Sequence, residues 1–548
     1  MQRIDALRHR IVCIALSTFI LLAGCGGTET GGAENPATEA DTLSQNSEQN
    51  SESIEESSIS EDDGGADRTS GVENAEDLLE GIKTAENGAG VSIHDPSIEI
   101  FDGRYYLFGS HMTGAYSDDL QTWTYIGNTY SSDNPLFEDL FADGLGIFDY
   151  AGDYGDGTYA VWAEDVIYLE EMGKYVMYFC VSSTYVKSNL CYAVADAPEG
   201  PYVYQGPLLY SGFTAQDIGE TDVYEYVDQT EAFAYLNGGQ YNNSLWPNCI
   251  DPAPFFDADG RLWMVYGSWS GGIFLLELDP ATGLVIHPEA DPENGVDPYF
   301  GKRLIGGGHT SIEGPYIQYD ETSGYYYLYV SYGGLERTGG YQIRVFRSRT
   351  PDGEYVDMNG EYPVMGFDHA QYGLKLSGNY EMPGCRYAYM ATGGQSAFQD
   401  EDGKQYLCYH SRFDHGTEYH EPCVKQVFLN EEGWPVLAPY TTKGETISET
   451  GYGMEEMAGS YFFINQGTDI SDEIAQPQLV TLQEDGTVSG SVEGTWESTD
   501  GTCYMKLAYG DITYSGVFCR MQDEAGTEVM TFSAVGDNQS IWGAKYEE

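Results

Sequence analysis

The chain has 548 residues, 24 of them basic and 88 acidic, for a formal net charge of −64. A surface that negative repels nucleic acid and anionic polymers such as pectate, and leaves neutral partners open. Aromatic residues make up 14% of the chain and include 46 tyrosines, a composition that favours strands and suits stacking on sugars, although most such rings are structural.

At the amino terminus Arg3, Arg8 and Arg10 lead into an apolar run from Ile11 to Ala23. That run is too short to cross a bilayer as a helix and fits the core of a secretion signal. Its ending, Leu22, Ala23, Gly24, Cys25, resembles a bacterial lipobox, which implies cleavage before Cys25 and lipidation of that thiol. Residues 1–24 therefore read as a lipoprotein signal, and the protein is expected on the extracellular face of a bacterial membrane, held only by lipid on Cys25. Stable attachment needs more than one acyl chain. Residues 25–88 are rich in Gly, Ser, Thr, Glu and Asp and nearly free of aromatics, the composition of a disordered acidic tether. Such a tether spans roughly 40 to 45 Å, more with its self-repulsion.

From residue 89 to 447 one pattern recurs. Ile250, Asp251 and Pro252 precede Phe255 and Phe256, then Asp259 and Gly260, then a run from Leu262 to Tyr266. Two β-forming runs around Asp-Gly read as a tight hairpin, because the turn needs positive φ, where glycine costs least. Gly103, Gly173, Gly324 and Gly403 open equivalent runs. Five unevenly spaced hairpins, each with a further apolar run, predict an all-β fold with a five-bladed propeller. The long connection from Gly206 to Pro247 is expected to rim its functional face.

Asp95, Asp165, Asp251 and Glu313 each come shortly before a hairpin, whereas Gln395 and Ser396 stand there in the fifth unit. If the first strand of every blade lines the channel, four acids converge at one level. Acids are costly to gather in one cavity, which argues for a site rather than a scaffold. A lone Asp-Pro would more often cap a turn; three acids in one repeat register would not.

Residues 453–548 lack the repeat but carry short strands, among them Gln478 to Leu482, Cys503 to Tyr509 and Asp511 to Cys519, and read as a separate small all-β, barrel-like domain. Export permits disulfides, and Cys180 with Cys191, Cys408 with Cys423, and Cys503 with Cys519 each flank a hairpin; the alternative is that all are buried thiols. No pair has zinc-site spacing.

The motifs His94-Asp95-Pro96-Ser97-Ile98, Ile250-Asp251-Pro252-Ala253 and Ser311-Ile312-Glu313-Gly314-Pro315-Tyr316 resemble, in order, those of glycoside hydrolase family 43. The stretch from Tyr266 to Gly272 and Gly307-Gly308-His309-Thr310 resemble the endo-arabinanases of that family, and the carboxy-terminal domain resembles the small barrel of its larger members. The resemblance implies an inverting hydrolase of internal α-1,5 bonds in arabinan, with Asp95 as general base, Glu313 as general acid and Asp251 orienting that acid and raising its pKa. Ala163-Glu164-Asp165 departs from the family's more usual Ala-Pro-Asp, and Asp165 is read as structural. A carboxylate about 6 Å from Glu313 would oppose its ionisation by about 2.8 kcal/mol at an effective dielectric of about 20, or about 2 pK units.

His410 resembles the histidine that faces an ion, often calcium, in the channel of arabinanases, with water as most of the other ligands; a plain core histidine is the bland alternative. Trp162, Trp269 and Phe108 are candidates for stacking on sugar, with a core role open for each. The chain is expected to act as a monomer. Two rival readings are an exo-acting α-L-arabinofuranosidase or β-xylosidase, its cleft closed by the Gly206–Pro247 connection, and a non-catalytic carbohydrate-capture lipoprotein.

Overall fold

The computed structural model describes residues 75–546, apart from 80–81, 86–87, 154–156, 184–185 and 364–368. The signal, Cys25 and nearly all of the expected tether lie outside the described residues.

Five antiparallel sheets begin with the strands Ser97–Phe101, Ala160–Leu169, Ala253–Phe256, Ile312–Asp320 and Tyr389–Gln399. These first strands touch one another in cyclic order, so they line a channel and the sheets are the blades of a propeller. Four blades have four strands; the third has six, extended by the short pairs around Val285–Ile286 and Val296–Asp297. The first hairpin is as tight as the sequence predicts: Phe101 pairs with Arg104, leaving Asp102 (φ 52°) and Gly103 (φ 77°) as the turn. The others turn through longer loops, 170–173, 321–324 and 400–404 in blades 2, 4 and 5, and so does the third hairpin. Its turn is the longer loop 257–261, closed by the Asp257 carboxylate, which accepts the N–H groups of Asp259 and Arg261.

Among the described residues, no strand is shared between first and last blades. The ring is closed by packing instead: Val91, Ile93, Ile98 and Leu107 meet Phe398, Tyr406 and Cys408, while Ser396 Oγ donates to the Pro96 carbonyl at 2.7 Å and accepts the Ile98 N–H at 3.1 Å.

Eight strands from Gly459–Asn465 to Gln539–Tyr546 close into a barrel. Alternation divides its residues between two cores. Tyr461, Phe463, Phe518 and Phe532 fill the inside, whereas Ile464, Val535, Trp542 and Ala544 join the core of blades 4 and 5. At that junction Lys425 is fully buried, with its ammonium 4.5 Å from the rings of both Tyr380 and Trp542 and donating to the Pro439 carbonyl at 2.6 Å. Burial lowers its pKa to about 8.

The eight cysteines from Cys180 to Cys519 are free and buried, so the suggested disulfides are corrected to thiols. Register explains two of the pairs. Cys180 lies opposite Leu190 and Cys191 opposite Phe179, and Cys408 lies opposite Val424 while Cys423 faces Tyr409. Side chains one register step apart point to opposite sheet faces and enter different cores.

Candidate active site

Each first strand enters the channel through one residue with a left-handed backbone: Asp95 (φ 49°), Ala163 (52°), Asp251 (56°), Gly314 (55°) and Gly394 (57°). Left-handed geometry is costly for Asp and Ala and persists where surrounding structure enforces it, often at functional sites. The register from these five onward is common to all blades, since Ser97, Asp165, Ala253, Tyr316 and Ser396 are each paired two positions further in. This corrects the expectation of four acids at one level. Asp95 and Asp251 occupy the ring, Glu313 stands one residue outside it, and Asp165 lies one layer deeper, where it accepts the Ser97 hydroxyl at 2.7 Å. The second hairpin turns through 170–173 where the first uses only 102–103, so equal counts back from the glycine reach different depths. Burial raises the Asp165 pKa to about 7, and it has no place at the mouth.

The carboxyls differ in what surrounds them. Asp95 Oδ2 is 2.7 Å from His94 Nδ1 and accepts the Ser110 hydroxyl at 2.7 Å. Burial pushes its pKa up, but the charge and hydrogen bond of His94, the Ser110 bond and His420 together outweigh burial, leaving it below the ordinary aspartate value. Asp95 is thus held ionised. Asp251 accepts the Gly314 N–H at 3.1 Å, and burial followed by repulsion from Glu313 and Asp95 raises it well above the aspartate range. Glu313 accepts the Ser268 hydroxyl at 3.0 Å. Burial, with the Asp95 charge, lifts its pKa against the pull of hydrogen bonds from Tyr341, Ser268 and Trp269. Asp251 and Glu313 oppose each other's ionisation, so their protons belong to the pair.

A cavity of about 40 Å³ lies inside the ring, bordered by Asp95 and Asp251. It holds a few water molecules but not a sugar, which has to bind above it.

Residues following the ring are Pro96, Glu164, Pro252, Pro315 and Gln395. The two that are not proline reach sideways. Glu164, with no exposed surface, accepts the Met112 N–H at 2.8 Å, beside Ser110, whose Oγ also takes the Ala163 N–H at 3.0 Å. Gln395 donates to the Gly314 carbonyl at 2.6 Å and accepts the Ser331 hydroxyl at 2.9 Å. Blades 2 and 5 therefore hold the acid-bearing segments of blades 1 and 4.

Of the residues expected to meet sugar, Trp269 lies at the site: its left-handed backbone (φ 44°) donates to the Ile312 carbonyl at 2.8 Å and its indole bonds to Glu313. Trp162 is half-buried against the core between blades 2 and 3. Phe108 is corrected to a core residue. It has no exposed surface and packs with Tyr106 and Tyr202 between blades 1 and 2, because its strand position points away from the channel mouth.

His410 is fully buried, 3.8 Å from Asp95 Oδ1 and stacked on His94 at 4.0 Å. Burial, then His94, Arg412 and His420, keeps it uncharged. Its Nε2 has no hydrogen-bond partner. Among the described residues His94, Asp95 and His410 bring one ligand atom each within 4.8 Å of one another. Gly394 permits this approach, since a Cβ there would stand 2.5 Å from Asp95 Oδ1 and 2.9 Å from the His410 ring. Nδ1 is the ring nitrogen that faces Asp95, and the buried, unpartnered Nε2 of the same ring is a fit for a cation.

Ser110, Ser268, Tyr341 and His94 went unread as site residues in the sequence. His94 adjoins a motif acid and was legible in principle; the others arrive through loops.

A propeller that gathers an ionised carboxylate and a proton-retaining carboxyl pair around one channel mouth has the machinery of a glycoside hydrolase. Residues 234–435 match the model of glycosyl hydrolases family 43, and residues 439–543 match its C-terminal lipocalin-like domain. The extracellular endo-α-(1→5)-L-arabinanase 2 of Bacillus subtilis is 40% identical over 83% of this chain and 93% of its own length. An extracellular endo-α-(1→5)-L-arabinanase of Thermotoga petrophila is 38% identical over 83% and 94%. Among solved structures, a family 43 glycoside hydrolase from Bacillus licheniformis superposes with a TM-score of 0.74 at 38% identity over 85% of this chain and all of that one. The chain belongs to glycosyl hydrolases family 43.

Proposed function

We propose that this protein hydrolyses internal α-1,5-L-arabinofuranosidic bonds in arabinan by a single displacement with inversion. The observation that carries the reading is the division of labour among the three carboxyls: Asp95 is stabilised as an anion while Glu313 and Asp251 resist ionisation. Asp95 takes a proton from water at the channel mouth, that water attacks the anomeric carbon, and Glu313 gives its proton to the departing oxygen. Asp251, through the Gly314 N–H, fixes the turn that carries Glu313. The relatives named endo-arabinanases support the substrate and the endo mode.

His410 would hold a calcium ion through Nε2, with water supplying most of the roughly six to eight ligands that ion takes. When bound, it adds positive charge beside Asp95. The relatives are called extracellular, which supports export, and the Cys25 motif supports a lipid anchor.

The test is incubation of a protein lacking residues 1–88 with linear arabinan beside Glu313→Gln, followed by chromatography. A ladder of short oligomers from the parent and none from the variant is expected. Arabinose alone would indicate exo action, and no product from arabinan, xylan or aryl glycosides would leave a capture protein.

A further inference from the structure

The barrel is filled at one end and open at the other. Below, Tyr461, Phe463, Trp496, Phe518 and Phe532 form a continuous core. At the mouth a cavity of about 280 Å³ is lined by Phe463, Asn465, Gln476, Gln478 and Tyr509, with Ala475 and Val492 at its edge. None of these residues is charged, in a chain with 88 acidic residues. Barrel mouths are common ligand sites, and this one has a built floor. The Tyr509 ring stacks on Tyr514 at 5.2 Å and 11°, meets Phe463 edge-on at 5.9 Å, and its hydroxyl accepts from Asn465 Nδ2 at 2.6 Å. Above it the exposed Gln476 and Gln478 present amides that donate and accept.

A fixed aromatic face, neutral amides and no charge are the chemistry that recognises a neutral, hydroxyl-rich ring: apolar sugar faces stack on tyrosine while hydroxyls bond to amides. The loop 466–477, which forms the rim, is docked on the active-site end of blade 4. Gln342 Nε2 and Lys375 Nζ both donate to the Asp469 carbonyl at 3.0 Å, and Asn379 Nδ2 donates to the Asp472 carbonyl at 3.0 Å. Gln342 follows Tyr341, whose hydroxyl bonds to Glu313. The mouth is thus tied to the same end of the propeller as the catalytic carboxyls.

We infer that the barrel mouth is a second saccharide site, which holds a neutral polysaccharide strand away from the point of cleavage. This rests on the reading of the protein as a polysaccharide hydrolase. A short oligosaccharide cannot use both sites, whereas a polymer can.

The experiment places Tyr509→Ala and Gln476→Ala/Gln478→Ala in the mature full chain carrying Glu313→Gln and measures retardation in native gels containing arabinan, xylan or galactan. In chains with Glu313 intact, KM is compared for polymeric arabinan and for the shortest oligosaccharide cleaved. Loss of an aromatic platform is expected to weaken retardation and raise the polymer KM by roughly 3- to 10-fold, with the oligosaccharide KM and kcat unchanged. The exposed Gln476→Ala/Gln478→Ala pair gives the same direction without touching the core. Unchanged retardation and polymer KM in both variants, or no retardation of the parent by any of the three polymers, would overturn the inference. Retardation that depends on Tyr509 with no arabinan hydrolysis would retain it and overturn the substrate assignment instead.

Discussion

Blades 1, 3 and 4 and blades 2 and 5 enter the channel with the same backbone and carry different chemistry. All five have a left-handed residue at the mouth, with φ between 49° and 57°. In blades 1 and 3 that residue is an aspartate, and in blade 4 it is the glycine after Glu313; in blades 2 and 5 it is Ala163 and Gly394. Blades 2 and 5, which put no acid in the ring, contribute through the next position, where Glu164 and Gln395 replace proline and grip the neighbouring blades. The comparison teaches that the fold supplies a symmetric ring and the sequence breaks it, so that an ionised carboxylate and carboxyls that resist ionisation meet at one channel mouth.

The largest effect should follow from removing either end of that asymmetry. Glu313→Gln or Asp95→Ala is expected to lower kcat on arabinan by roughly 10²- to 10⁴-fold, measured by reducing-end release with the melting temperature as a control. Phe108→Ala tests a residue that the comparison places in the scaffold. It should cost about 3 to 5 kcal/mol of stability by denaturant melts while the KM of the folded fraction stays the same; a raised KM at parental stability would restore Phe108 to the sugar site.

The pH profile sharpens the account of the acids. Glu313 must be protonated to act and its pKa is raised, so activity persists above the ordinary glutamate range and falls as the Asp251–Glu313 pair ionises. Asp95 must be ionised and its pKa is lowered, so the acid limb lies below the ordinary aspartate value. Asp251→Asn leaves burial and the Asp95 charge, the causes of the Glu313 shift, in place, so both limbs should stay where they are while kcat falls with the loss of the Asp251 carboxylate.

The smallest catalytic effect belongs to blades 2 and 5. Gln395→Ala leaves the Gly314 carbonyl without its donor, and kcat should drop up to about tenfold, the worth of one net hydrogen bond. Glu164→Gln keeps the acceptor for Met112 and should keep the activity, while Glu164→Pro should not.

The sequence announced the hairpins through glycine turns and the acids through their place ahead of those turns, both local signals. What it concealed is three-dimensional. Asp165 looked like a member of the ring because counting back from the hairpin glycine ignores the length of the turn, which is 102–103 in the first blade and 170–173 in the second. Phe108 looked like a platform because a strand's period says which faces alternate, not which face meets the channel. Tyr341 reaches Glu313 only because Gly333 and Gly339–Gly340 pinch their loop shut; a Cβ on Gly333 would lie 2.5 Å from the Gly340 carbonyl oxygen. No spacing in the chain encodes that approach.

The central claim is that Asp95 drives water onto the sugar from the face opposite Glu313. Proton NMR of the first product released from linear arabinan tests it most directly. The account predicts that the new reducing end appears first as the β anomer and then mutarotates. An α anomer at the earliest time points would mean a covalent intermediate, and would contradict the assignment of Asp95 as a base.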